Sequence, residues 1–317
     1  MTNHAKKLGA AFIAAAALLC GCDRAPEGPA GPALFDVDLV DGQRALDEVA
    51  RLVALGLRDS GTPGAARAAA HLKLRLEAAG CEAAIDAFED ATPEGVVTFR
   101  NVTGRLAGAE PGLIVLGSHY DTKRGMGPGF EGANDSGSST GLLLELARVF
   151  RAGGRQGPEL LFVLFDGEEC MQKYGPRDGL HGSRRLAREL RRSGRADEVL
   201  AVIVLDMVGD RDLTVTLPRN GSPELLTAVF GVARLEGVRS NFKLAGSRIL
   251  DDHVPFLEAG MPAVDIIDFE FGSAPGKNDY WHTPADTMDK LSAASLGTVG
   301  RVVVRLVNGL RSDARSQ

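Results

Sequence analysis

The chain has 317 residues, a net charge of −6 and 44% hydrophobic content, which is long enough for one large core or two small ones. Mild acidity and the lack of any basic run point away from a nucleic-acid partner.

Residues 1–21 read as a removable leader. MTNHAKK is a basic start, and LGAAFIAAAALL is an apolar stretch too short to span a bilayer. LCGC follows, with small Gly21 directly before Cys22. This resembles the lipobox of bacterial lipoproteins. The resemblance implies cleavage before Cys22, lipidation of its thiol, and export to the cell envelope, held to a membrane by lipid alone. An ordinary secretory signal with two incidental cysteines is the alternative. Residues 22–35 include DRAPEGPAGPA, rich in Pro, Gly and Ala, and are expected to form a flexible tether. Cys81 and Cys170 would remain in the mature chain; two buried free thiols are expected in preference to a disulfide.

Residues 36–317 read as one domain. RALDEVARLVALG and GAARAAAHLKLRLEAAG carry apolar residues at helical spacing, and each stops at a Gly. Strands are expected around CEAAIDAFE, GVVTFRNVTGRL and GLIVLG. SGSSTGLLLELARVF then predicts a helix, LLFVLF a buried strand, HGSRRLARELRR a helix and VLAVIVLDMVG a strand. PELLTAVFGVARLEG predicts a helix, DHVPFLEAG a short one, PAVDIID a strand and LSAASLGTVGRVVVRLVNGL a closing helix. Strands without alternation, separated by amphipathic helices, indicate an α/β fold: a central mixed, mostly parallel sheet flanked by helices.

Four apolar runs end in groups that bind metal or move protons. GLIVLG leads to His119 and Asp121, LLFVLF to Glu168 and Glu169, VLAVIVL to Asp206, and PAVDIID toward Trp281 and His282. In open α/β sheets, sites form at the carboxyl ends of the strands. These groups should therefore converge, joined by Asp135 from the loop EGANDSGSS, ahead of a helix whose N-terminus favours a carboxylate. Each has an ordinary alternative: Asp135 as a helix cap, His119 as a core histidine, Asp206 as an acceptor at a strand end, His282 as a loop residue. His71 and His181 are read as helix residues without a site role, and Asp279, Asp286 and Asp289 as solvated loop charges. As a set, two histidines and three carboxylates at strand ends suit zinc. A divalent cation on one of the adjacent Glu168 and Glu169 relieves their repulsion and leaves the other free as a general acid or base.

The motifs His119-Tyr120-Asp121, Gly132-Ala133-Asn134-Asp135-Ser136, Gly167-Glu168-Glu169, Leu205-Asp206, Asp251-Asp252-His253 and Trp281-His282-Thr283 resemble, in order, those of the M28 zinc metallopeptidases. FDGEECMQKYGPRDGLHGSRRLA and DDHVPFLEAGMP resemble the glutaminyl cyclase branch, the glutaminyl-peptide cyclotransferases. NDSGSSTG and YWHTPADTMDKLS are phrased as in bacterial aminopeptidases of the family. As a cyclase, the resemblance implies one zinc on Asp135, Glu169 and His282, with Glu168 as acid/base. Asp252 would share a hydrogen-bond network with Glu168, and Trp281 and Tyr174 would wall the substrate pocket. As an aminopeptidase it implies a second zinc on His119 and Asp206, bridged by Asp135, with Asp121 orienting His119. It also implies a cis peptide at Asp135-Ser136. Peptide or protein N-termini are the implied substrates on either reading.

Overall fold

The protein is described by a computed structural model for residues 35–310. The expected leader, the tether up to residue 34 and Cys22 lie outside the described residues. Phe35, counted with the tether, is already buried against Phe150 and hydrogen-bonded both ways with Asn308.

Strands β1 (Glu82–Thr92) and β2 (Gly95–Leu106) form a long antiparallel hairpin. β2 pairs antiparallel with β4 (Glu159–Phe165), and β4 runs parallel to β3 (Leu113–His119). β5 (Val199–Asp206) and β8 (Ala263–Ile267) complete the sheet, both parallel, giving the order β1-β2-β4-β3-β5-β8. The apolar runs of β3, β4, β5 and β8 are buried almost throughout, because both faces of the sheet are covered there; β1, at the edge, is largely exposed or half-buried. This is the single-domain α/β fold that the sequence predicts.

One face is covered by α1 (Gly42–Val53), α2 (Pro63–Ala78), α3 (Ser139–Ala152), α5 (Pro223–Leu235) and α7 (Ala293–Gly309), around a core that includes Leu72, Leu116, Leu146, Phe162 and Val303. The other face is covered by α4 (His181–Arg192) and the short α6 (Val254–Glu258), packed on Val115, Phe165, Val204 and Phe256. Helix starts follow the sequence: the Asp41 side chain accepts from Gln43 N and Arg44 N, and Thr62 caps a helix whose first residue is Pro63. The sequence gives no warning of a two-stranded parallel sheet, β6 (Val215–Leu217) with β7 (Phe242–Leu244). Cys81 and Cys170 are both buried free thiols.

The functional consequence lies in register. His119 is opposite Phe165 and Asp206 opposite Ile267, so the parallel strands finish level along one edge. Whatever side chains follow those strands are delivered to the same place.

Candidate active site

His119 is the last residue of β3, and Asp206 the last of β5. Asp135 lies in the tight turn Ala133–Ser138, which leads into α3. Glu168 and Glu169 follow β4 after a sharp bend at Gly167, whose φ of +81° disfavours other residues and whose Cβ position would collide with the Phe99 ring. His282 comes from the long connection after β8 and adopts φ +54°, a left-handed conformation costing a non-glycine residue on the order of 1 kcal/mol or more. Packing therefore holds this imidazole against its local preference.

These side chains converge. His119 Nε2 lies 3.1 Å from Asp135 Oδ1 and 3.4 Å from Asp206 Oδ1. His282 Nε2 lies 3.2 Å from Asp135 Oδ2 and 2.8 Å from Glu169 Oε1. Two three-residue clusters result, His119/Asp135/Asp206 and Asp135/Glu169/His282, each with its donor atoms mutually within 4.8 Å. Asp135 serves both, one oxygen to each. The Asp135-Ser136 peptide is cis. Asp121, buried behind His119, stands 3.5 Å from its Nδ1 and accepts the backbone N–H groups of Glu168 and Glu169. It thus ties the glutamate pair to the histidine.

The electrostatics are those of an acidic pit. Burial alone would lower the His119 pKa, yet Asp121, Asp135 and Asp206 hold it well above the ordinary value. Burial opposes His282 likewise, and Asp135 and Glu169 raise it to about 9. Burial pushes Asp206 up to about 8. Glu168 is raised well above the carboxylate range, first by burial and then by the charge of Glu169. Asp135 Oδ2 and Asp206 Oδ1 are buried without a hydrogen bond. Imidazoles, which bind zinc once a cation displaces their proton, and carboxylates with unused lone pairs, aimed at common points, are a donor set that fits zinc.

Glu168 belongs to neither cluster. Its oxygens are 3.2 and 3.1 Å from the Tyr174 hydroxyl, which donates to them. Tyr174 is brought there by a folded loop in which Asp178 accepts the N–H groups of Met171, Gln172 and Lys173. Lys123, 3.3 Å from Glu169 Oε2, lies over the Tyr174 ring. Asp252 is fully buried, neither of its oxygens receives a hydrogen bond, and burial first, then the charge of Asp251, holds its carboxyl well above the ordinary range. The expected hydrogen-bond network between Asp252 and Glu168 does not appear among the contacts of this structure.

A cavity of about 600 Å³ opens beside the clusters. Glu168, Tyr174, Trp281 and His282 line it, and Leu244, Ile249, Leu250 and Phe269 add apolar lining beside the charged Lys243, Arg248 and Glu270. Sequence reasoning missed these apolar residues, since they come from a three-residue strand and from connections with no periodicity to read. It also misread Asp286. Far from being solvated, Asp286 is fully buried and accepts Asn134 N at 2.7 Å and Asp135 N at 3.1 Å. The turn bearing Asp135 supplies two N–H donors that need an acceptor, and Asp286 is that acceptor. Asp279 and Asp289 are exposed, as expected. His181 is buried, stacked on Phe99 and bonded through Nδ1 to Asp90, outside the site.

The model of Peptidase family M28 matches residues 101–307. A glutaminyl-peptide cyclotransferase-like protein of Bos taurus is 31% identical over 279 residues, covering 78% of this chain and 71% of the relative. Among solved structures, a glutaminyl cyclase from an Acidobacteriales bacterium superimposes with a TM-score of 0.79 at 35% identity, covering 85% of this chain and 95% of that one. A Zn-dependent exopeptidase from Parabacteroides distasonis gives a TM-score of 0.74 at 25% identity, covering 84% and 98%.

Proposed function

Because the chain belongs to peptidase family M28, we propose that it is a zinc-dependent glutaminyl-peptide cyclotransferase, converting N-terminal Gln to pyroglutamate with release of ammonia. The observation that carries this reading is Glu168: a buried carboxylate outside both donor clusters, facing the cavity beside Asp135, Glu169 and His282, under the Tyr174 hydroxyl.

Asp135, Glu169 and His282 would hold one zinc. Bound there, it supplies Lewis acidity toward the γ-carboxamide oxygen. Glu168 takes a proton from the substrate α-amine as that nitrogen forms its bond to the carbonyl carbon of the side-chain carboxamide. The same carboxyl then returns the proton to the departing nitrogen, and ammonia leaves. Tyr174 fixes the orientation of Glu168, while Trp281, stacked on His282 with ring centroids 4.0 Å apart, walls the cavity. A folded-back Gln side chain held there has nucleophile and electrophile in one residue, so proximity supplies much of the rate.

The second complete cluster, His119/Asp135/Asp206, favours a second reading, a two-zinc aminopeptidase in which Glu168 would deprotonate water. Purified protein offered a Gln-initiated and a Leu-initiated peptide separates the two. Ammonia from the first supports the cyclase; free leucine with the first peptide left uncyclised overturns it.

The protein is further proposed to be an exported lipoprotein of the cell envelope, anchored through Cys22, on the strength of Lys6-Lys7, the apolar stretch and LCGC. Cys22→Ala should move it from the membrane fraction to the soluble envelope fraction. An unchanged distribution leaves only the plain secretory signal.

A further inference from the structure

The loop between α1 and α2 carries three consecutive polar residues that all reach the strand ends. Asp59 Oδ1 accepts the Thr122 hydroxyl at 2.6 Å, and the Ser60 hydroxyl contacts Asp166 at 2.6 Å and Asp121 at 3.1 Å. Arg58 is the unusual member. It is fully buried, yet among the described residues its guanidinium forms no ion pair. Buried arginines ordinarily face a carboxylate, since a charge taken from water needs a strong partner.

The donors of Arg58 go to main-chain carbonyls instead. Nε donates to Tyr120 O at 2.7 Å, Nη1 to Glu131 O at 3.3 Å and Nη2 to Gly132 O at 2.8 Å. Tyr120 directly follows His119, and Gly132 precedes the turn that presents Asp135. One rigid fork therefore spans two stretches of chain that deliver donors to the metal clusters. Gly132 has φ +57°, and a Cβ there would meet Arg58 Nη2, Thr122 and the Asp135 carbonyl. The close approach is built into the sequence. From the opposite side, Asp286 accepts the N–H groups of Asn134 and Asp135. The charges of Asp286, Asp121 and Asp135 also surround the guanidinium, so it offsets the acid gathered at the site.

We propose that Arg58 and Asp286 form a positioning pair that holds the Asp135 turn in its metal-binding geometry before any ion arrives. The inference rests on the zinc site of the proposed function. It assigns part of the zinc affinity to residues that touch neither metal nor substrate. Arg58→Lys keeps the charge but not the three-pronged span, and should weaken zinc by about ten- to a hundred-fold, the usual loss when a partner of the ligands is removed.

The test measures zinc affinity of the full chain by chelator competition, with the thermal midpoint of metal-free protein in parallel. Leu72→Ala, in the distant core of α2, serves as a control that lowers stability without touching the site. Arg58→Lys should lose zinc affinity where Leu72→Ala, at a comparable loss of midpoint, does not. Zinc binding in Arg58→Lys equal to that of wild type, or a loss matched by Leu72→Ala, overturns the proposal. If Arg58→Lys does not fold, Asp286→Asn carries the same comparison with the same two outcomes. Wild-type protein that binds no zinc overturns the proposed function together with this inference, whereas tight wild-type binding with an unaffected variant overturns this inference alone.

Discussion

Replacing Glu168 with Gln tests the proposed chemistry most directly. The side chain keeps its size, and its oxygen can still accept from Tyr174, which now sits 3.1 to 3.2 Å from the two carboxylate oxygens. What disappears is the ability to take and return a proton. A general acid/base is worth roughly two to four orders of magnitude in turnover. At 1.36 kcal/mol per decade, that is about 2.7 to 5.4 kcal/mol of barrier. Since Glu168 is in neither donor cluster, zinc content should not change. Tyr174→Phe gives the scale for orientation alone: one neutral donor with long contacts, about 0.5 to 1.5 kcal/mol, hence about a two- to thirteen-fold loss. The assay is initial-rate ammonia release from a Gln-initiated peptide, with elemental analysis of each preparation. Turnover equal to the parent removes Glu168 from the chemistry, and activity lost together with zinc makes it a ligand.

Glu169→Gln should behave oppositely, since it weakens one of three groups around a shared point; metal content at the wild-type level would void the ligand assignment. Trp281→Ala opens the cavity wall and should cost cyclisation roughly two orders of magnitude in kcat/KM, as a misplaced nucleophile does; a loss under three-fold would remove Trp281 from the pocket. His253 gives a pH signature. Its Nε2 accepts from Asn220 Nδ2, and burial depresses its pKa from 6.5 to about 4. Nearby Asp265 is held well above the carboxylate range by burial, so it stays neutral in acid and does not rescue an imidazolium. The stability this neutral His253 contributes is present above pH 6.5 and is lost as pH falls from 6.5 toward 4, by about 3 kcal/mol at most. Denaturation of His253→Gln beside the parent at each pH should show that acid-side loss diminished; parallel curves would refute it.

The parts of the site that the sequence exposes are those that end a buried strand. An apolar run such as LLFVLF has no reason to finish in Asp166-Gly167-Glu168-Glu169 unless the carboxylates have a use, so His119, the glutamate pair and Asp206 stand out. Asp135 is signalled by its place in a loop ahead of a helix, whereas Tyr174 becomes legible only through family resemblance, because its position depends on loop folding. Asp286 and Arg58 are hidden for a different reason. Each lies in a short polar stretch that reads as surface, and each is buried only because a distant segment leaves main-chain groups without partners. Such demands are set by tertiary contact and leave no local pattern. The small β6–β7 sheet escapes similarly: three-residue strands are too short to carry a period.

Trp281 is the chain's single tryptophan, and it lies nearly parallel to the His282 imidazole, 24° between planes. Indole emission from this protein therefore originates at one place, against a ring whose charge depends on what occupies the site. An imidazolium in face contact quenches an excited indole by accepting an electron, while a neutral ring quenches far less. The unlabelled protein accordingly carries its own optical probe, in which indole fluorescence, excited apart from the three tyrosines, follows the filling and emptying of the cavity.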